Sequence, residues 1–248
     1  MKIYCLLGLS LVGTIEACCE VESTLQLGGN YTYADIQVSG QPSFHGNLGG
    51  VQGSYELQTS CGFYGALKGA WKTGETKGSF AKRQLTYVDG VERLGYTYIP
   101  DCQPWSFTLF SGFGYRYISH KLQQEGQPAI RFNYNEFYVP VGFLGDYFFN
   151  GCFSLGLDFT WMPQVYPTVE IVPLRGARWV LTNTTNNFLV ELPFSYFFDN
   201  CFSLILKPFY EHWKDGRSTA VTATGNALGL PSNNYNFYGL ELNVAYTF

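Results

Sequence analysis

The residues with chemistry to offer are few and scattered. Of three histidines, His45, His120 and His212, the last stands in Tyr210-Glu211-His212-Trp213 with Asp215 close by. An imidazole oriented by a carboxylate is the pattern of a general base that activates water. Here, however, Glu211 is the immediate neighbour of His212, and adjacent residues of an extended strand project to opposite faces. A single histidine near a strand end is otherwise a solvated loop-base residue, and no catalytic residue is assigned. The cysteines lack the close CxxC pairing of zinc sites, and no Gly-rich phosphate loop follows a strand. No enzymatic role, metal or cofactor is expected.

Composition bounds the elements that must position these residues. The chain has 248 residues, of which 46% are hydrophobic, 18% aromatic and only 14% charged; soluble domains average about 25% charged. With 21 Phe, 19 Tyr and 5 Trp, disorder is excluded. Past the N-terminus no stretch approaches the ~18 uninterrupted apolar residues of a spanning helix. A net charge of −4 without a basic cluster gives nucleic acid nothing to hold.

The dominant period is two, that of a strand. Leu25, Leu27, Tyr31 and Tyr33 alternate with Thr24, Gln26, Asn30 and Thr32, and Phe153, Leu155, Leu157, Phe159 and Trp161 alternate with Ser154, Gly156, Asp158 and Thr160. Phe188, Val190 and Leu192 oppose Glu191, and Leu240, Leu242, Val244, Tyr246 and Phe248 oppose Glu241, Asn243, Ala245 and Thr247. Runs of about ten residues match a tilted strand that crosses a bilayer. A secreted β-sandwich is the soluble alternative, but its outward face needs Lys, Glu and Asp where this chain has Gly, Ser, Thr, Asn and Gln.

Short turns with one cysteine each recur at Cys61, Cys102, Cys152 and Cys201, the last two continuing as Cys-Phe-Ser-Leu. Longer polar segments lie between them, near 39–46, 78–90, 119–131, 164–186 and 215–234. Short turns at one rim and long loops at the other are the asymmetry of a membrane barrel. The expectation is an all-β, antiparallel up-and-down barrel of ten strands, at 24–38, 47–58, 63–77, 91–99, 105–118, 132–148, 153–163, 187–198, 202–214 and 236–248. Eight or twelve are the alternatives, because Ser79–Tyr98 is weakly patterned.

Lys2, the apolar run Ile3–Ile15 and Ala17 have the layout of a signal peptide. Residues 1–17 are read as that segment and 18–248 as one barrel domain; lipidation of Cys18 is the alternative. Gly239, Leu242, Val244, Tyr246 and the terminal Phe248 resemble the closing strand of Gram-negative outer-membrane barrels, which implies recognition by the barrel-insertion machinery. Phe237 departs from that pattern, which has a polar residue there. The omptin proteases share the strand count, but their Asp-x-His and Asp-x-Asp pairs do not occur around these histidines. The cysteine-bearing turns resemble cysteine-rich envelope proteins of chlamydia-like bacteria, including their major outer membrane porins.

Parity turns Glu56, Lys68, Lys72, Arg93, Arg116, Glu136, Asp158, Glu191, Lys207, Glu211 and Glu241 into the lumen, and pairs Glu191 diagonally with Lys207 across the turn at Asp199-Asn200. Ten strands leave a lumen nearer to a packed one than to an aqueous channel. Trp71, Trp105, Trp161 and Trp213 are assigned to membrane-interface girdles. Export permits disulfides. Successive turns are about 10 Å or more apart, too far for neighbouring turn cysteines to pair. Cys18 and Cys19 are within reach of Cys61 or Cys201, and the turn cysteines otherwise stay free or bond envelope partners. The function expected is a structural or porin-like envelope protein in the outer membrane, with a narrow or plugged lumen, in contact with membrane lipid. The alternative is an adhesin of the opacity type whose loops bind a host ligand.

Overall fold

A computed structural model describes residues 20–79, 81–100, 103–123, 126, 128–172, 178–218 and 229–248. The expected signal segment, Cys18, Cys19 and Cys102 lie outside these residues. The strands are β1 (Val21–Val38), β2 (Phe44–Thr59), β3 (Phe63–Lys77), β4 (Lys82–Tyr98), β5 (Trp105–Gln123), β6 (Ile130–Tyr138) and β7 (Val141–Asn150). They continue with β8 (Phe153–Trp161), β9 (Gln164–Val172), β10 (Arg178–Val180), β11 (Phe188–Glu191), β12 (Phe194–Phe197), β13 (Phe202–Asp215) and β14 (Asn233–Thr247).

All pairings are antiparallel, and β1 pairs with both β2 and β14. The ring runs β1-β2-β3-β4-β5, then β7, β8, β11 with β12, β13 and β14, and so back to β1. The 14 segments form a closed barrel of ten spanning strands. Three of the ten are interrupted, at Val139-Pro140, Met162-Pro163 and Leu192-Pro193, because proline has no N–H to give the ladder. The strand count is the expected one, and eight and twelve are excluded.

The boundaries differ from expectation at one end. The strand expected from residue 91 begins at Lys82, the one expected to stop at 118 runs to Gln123, and the wall continues past 163 as β9 and β10. The cause is a reversal of pattern partway up several strands, β1, β4 and β14 among them. In the lower half, nearer the short turns, apolar residues face out: Leu25 and Leu27 on β1, Leu240, Leu242 and Val244 on β14. In the upper half the same strands turn apolar residues inward: Ala34, Ile36 and Val38 on β1, Leu85 and Tyr87 on β4, Tyr235 and Phe237 on β14. Lys82, Gln84 and Thr86 then face out. The upper half therefore has a packed core with a polar outer wall, as a soluble barrel does.

The turn repeat has a local cause. Cys152 N–H donates to Asn150 Oδ1 at 2.9 Å, and Cys201 and Phe202 N–H donate to Asp199 Oδ1 at 2.8 and 2.7 Å. These are Asx turns, in which a short side chain stands in for backbone. The two donated bonds hold the exposed Asp199 carboxyl below the usual carboxylate range.

Candidate functional site: the barrel interior

Two tiers of charge fill the lumen. In the lower tier Arg93, on β4, donates from Nη1 to Asp158 Oδ2 of β8 at 2.6 Å and from Nη2 to Thr160 Oγ1 at 2.9 Å. Lys68, on β3, lies 3.3 Å from Asp158, 3.8 Å from Glu191 and 4.0 Å from Glu56. Lys207 Nζ donates to Gln26 Oε1 at 3.1 Å, and Gln52 Nε2 donates to Glu241 and, at 3.0 Å, to Asn243. The expected Glu191–Lys207 pair is not formed. Their strands have the expected register, with Glu191 opposite Phe209, but Lys207 reaches to Gln26 on β1 and Glu191 to Lys68.

In the upper tier the fully buried Arg116 guanidinium is the hub. Its Nε donates to Glu136 Oε2 at 2.8 Å, and its Nη atoms lie 3.8 Å from Glu211 and 3.6 Å from Asp215. Its Cζ sits over the Trp213 ring, 3.6 Å from the ring centroid. Lys72 lies 3.8 Å from Glu211, Tyr87 donates to Glu211 at 2.9 Å, and Tyr138 donates to both oxygens of Asp89 at 3.0 Å. A cavity of about 90 Å³ between the tiers borders Lys68, Lys72, Asp89, Glu211 and Glu241. Above Arg116 the section is closed by Tyr134, Tyr235, Trp179, Ile118 and Leu85, all buried.

A buried ion costs several kcal/mol in lost hydration, offset only by close, hydrogen-bonded partners. That requirement explains why the strands bring acids and bases into contact here. The pairs also tie separate strands together across the lumen.

Sequence reasoning missed Asp89, Asp146 and Asp215. Asp89 and Asp215 fall in segments read as loop, and Asp146 shares the parity of Glu136, a signal that was available. Trp213, assigned to a girdle, is buried instead, with 0% exposure, because it lies on the upper stretch where apolar residues face in. Trp71, Trp105 and Trp161 are exposed on the outside, Trp71 in mid-strand.

The histidines are separated. His45 Nδ1 lies 3.2 Å from Asp35 on the outside, and His212 Nδ1 lies 2.8 Å from Asn236 Oδ1. His120 is buried, with Nε2 3.0 Å from the Tyr235 hydroxyl. Glu211 points inward, away from His212. Among the described residues no group of three His, Cys, Asp or Glu is arranged for a metal ion. Cys152 and Cys201 are exposed and free, and Cys61 is exposed in the β2–β3 turn.

On the closing strand, Leu242, Val244, Tyr246 and Phe248 face outward, and Phe248 N–H donates to Ser23 O at 2.9 Å. Gly239 faces inward beneath Phe209, whose ring would stand 2.3 Å from an added Cβ. Only glycine fits there.

No protein-family model matches the sequence, and no curated protein matches it. Among solved structures it is similar to the outer membrane protease OmpT from Escherichia coli, with a TM-score of 0.64 and 13% identity over 92% of this chain and 96% of that one. It is also similar to the transport unit of the autotransporter AIDA-I from Escherichia coli (0.53, 13% identity, 92% and 90% covered). A third likeness is to the translocator domain of the autotransporter NalP from Neisseria meningitidis (0.50, 13%, 98% and 94%). At such identity the likeness speaks to architecture alone: this chain has the closed-barrel fold found in outer-membrane proteins.

Proposed function

We propose that the protein is a structural component of a Gram-negative outer membrane: a non-conducting barrel that holds its upper wall and loops outside the cell. The observation that carries this reading is the section at Arg116, Trp213, Tyr134 and Tyr235, where four buried side chains, a guanidinium over the Trp213 ring among them, crowd the interior. A porin-like role needs the lumen to open, which both tiers oppose. No hydrolase chemistry is proposed, since Glu211 and His212 occupy opposite faces.

The adhesin reading has one observation in its favour. The wall continues above the apolar outer band as a polar-faced barrel, a rigid platform for the loops. In either case lipid and the insertion machinery are the partners proposed. Bonding to other envelope proteins through the exposed thiols of Cys152 and Cys201 is a further part of the reading. Cysteine placement is the sole support for the finer likeness to chlamydia-like envelope proteins.

Planar-bilayer recording of the refolded protein tests the closed lumen. Silence at ±100 mV (~2.3 kcal/mol per unit charge) is expected, and stable ion-dependent steps overturn it. Loss of cell binding on truncating the loops would then select the adhesin form.

A further inference from the structure

The outer wall over β5, β6, β9 and β10 carries more than the aromatic belt a membrane interface calls for. Tyr115, Tyr117 and Phe137 face out there with Asn133, Asn135, Glu170 and Arg178, around a groove of about 460 Å³. The tyrosines are fixed from within the wall. Tyr115 donates to Asn135 Oδ1 at 2.7 Å, and Tyr117 and Ser119 donate to Asn133 Oδ1 at 3.1 and 2.9 Å. Glu170 and Arg178 are exposed and in register, yet the guanidinium turns to Thr168 Oγ1, 3.1 Å away. Lys121 and Arg131 stand in register with each other just above, and among the described residues neither forms an ion pair. The wall thus presents three bases and one acid with no charge partner.

Backbone strain marks the same wall independently. Between Val165 and Thr168, Tyr166 and Pro167 oppose the single Glu136 of β6, which is a β-bulge. The bulge holds Tyr166 at φ 53°, a conformation that costs any residue with a Cβ and that glycine adopts freely. It also turns Tyr166 outward beside Val165, so two successive side chains are exposed, Tyr166 at 59%. Val165 is in register with Phe137 of the groove. A ring so exposed does little for the packing of the wall, and strain kept at such a position points to contact with something outside it.

We propose that this wall binds a soluble acidic oligosaccharide, a chain of hydroxyl-bearing rings with carboxylates at intervals. The apolar face of a sugar ring packs on tyrosine, and its hydroxyls pair with the Asn133 and Asn135 amides and the Glu170 carboxylate. Arg178, Arg131 and Lys121 meet the sugar carboxylates in charge-assisted bonds. Glu170, among these bases, accepts from hydroxyls but repels a chain charged at every unit, which sets nucleic acid aside. Depth sets a lipid headgroup aside. Tyr117 is in register with Val88, the last outward apolar residue of β4, and Lys121 lies four residues further up β5. At ~3.3 Å per residue and a tilt of about 40°, Lys121 stands on the order of 10 Å above the apolar band. A headgroup layer is only roughly 5–8 Å thick. The proposal names a ligand class for the adhesin form and rests on the upper wall lying outside the cell. Its failure leaves the closed lumen, which bilayer recording tests, untouched.

Isothermal titration of the refolded full chain in detergent micelles reads the binding, with sialyllactose and trigalacturonate as acidic probes and lactose as the neutral control. At least one acidic probe is expected to bind with a Kd of ~1 mM or tighter, and lactose at least ~10-fold more weakly. Arg178→Gln and Arg131→Gln, both on exposed side chains, are each expected to weaken binding at least ~5-fold. Tyr166→Gly separates binding from folding: it relieves the backbone at that position, so the thermal midpoint holds or rises while binding falls at least ~5-fold. Unboiled electrophoretic mobility confirms folding of each variant. The proposal is overturned if neither acidic probe binds, if lactose binds as tightly, or if the folded variants match wild type. Displacement of the bound sugar by a single-stranded oligonucleotide or by phosphatidylglycerol vesicles also overturns it, and assigns the wall to that ligand instead.

Discussion

Arg93 and Asp158 show how a single pair carries the lower tier. They meet at 2.6 Å with both side chains almost fully buried, so removing Asp158 strands the Arg93 charge inside the barrel, while removing Arg93 leaves Asp158 with Lys68 at 3.3 Å as its ion-pair partner. Asp158→Ala or Arg93→Ala is expected to cost about 3–5 kcal/mol of unfolding free energy, with the double variant costing less than the sum. Urea titration in lipid vesicles, followed by Trp fluorescence, measures both. At the closing end, Phe248→Asp is expected to cut assembly into membranes several-fold, while a change at Asn233 leaves it near normal; the yield of folded protein in envelopes checks this. Asp199 gives a residue-scale pH effect. Its folded carboxyl sits below the ordinary value of about 3.9 because Phe202 and Cys201 N–H bond it. The stabilisation is therefore present above that value and fades as pH falls through the folded one. Asp199→Ala should lower the unfolding midpoint at neutral pH, and the gap to wild type should narrow in acid.

At the scale of the strand, which way a residue faces was legible, and where the strand ends was not. Even-numbered Asp158 on β8 and odd-numbered Glu191 and Glu241 on later strands could be placed by parity alone, because side chains alternate strictly along a strand. The stretch 78–90 could not be read as strand, because its outward residues are Lys82, Gln84 and Thr86 rather than apolar ones. Alternation was present there with its sign reversed, Leu85 and Tyr87 inside. The same reversal hid Asp89 and Asp215 and sent Trp213 to the wrong side. Partner choice across the lumen, as between Lys68 and Glu191, depends on barrel closure and side-chain reach, which no single strand encodes. The facing of β8 has its own test. Leu157→Arg, on the outside at mid-strand, should cost about 2–4 kcal/mol, and Ser154→Thr, inside on the same strand, should cost less, below about 1 kcal/mol. Equal costs would show that the two faces share one environment.

The whole molecule combines two solvation regimes in one barrel: apolar outside and charged inside below, and above, polar outside with apolar and aromatic side chains packed inside around the Arg116 ion-pair hub. Each half satisfies its surroundings separately, and the ten strands pass through both, three of them interrupted at prolines. The closed lumen proposed above would follow from the upper regime, where buried aromatic and aliphatic side chains crowd the interior. Tryptophan reports this division directly. Among the five tryptophans, Trp105 is outward in the lower half, and Trp213 is buried in the upper half. Two variants, each keeping one of these and replacing the other four by Phe, can be refolded into vesicles of acyl-brominated lipid, which quenches fluorescence on contact. Strong quenching of Trp105 together with unquenched Trp213 is the result expected; Trp213 quenched as strongly as Trp105 would contradict the reversal on which the closed barrel rests.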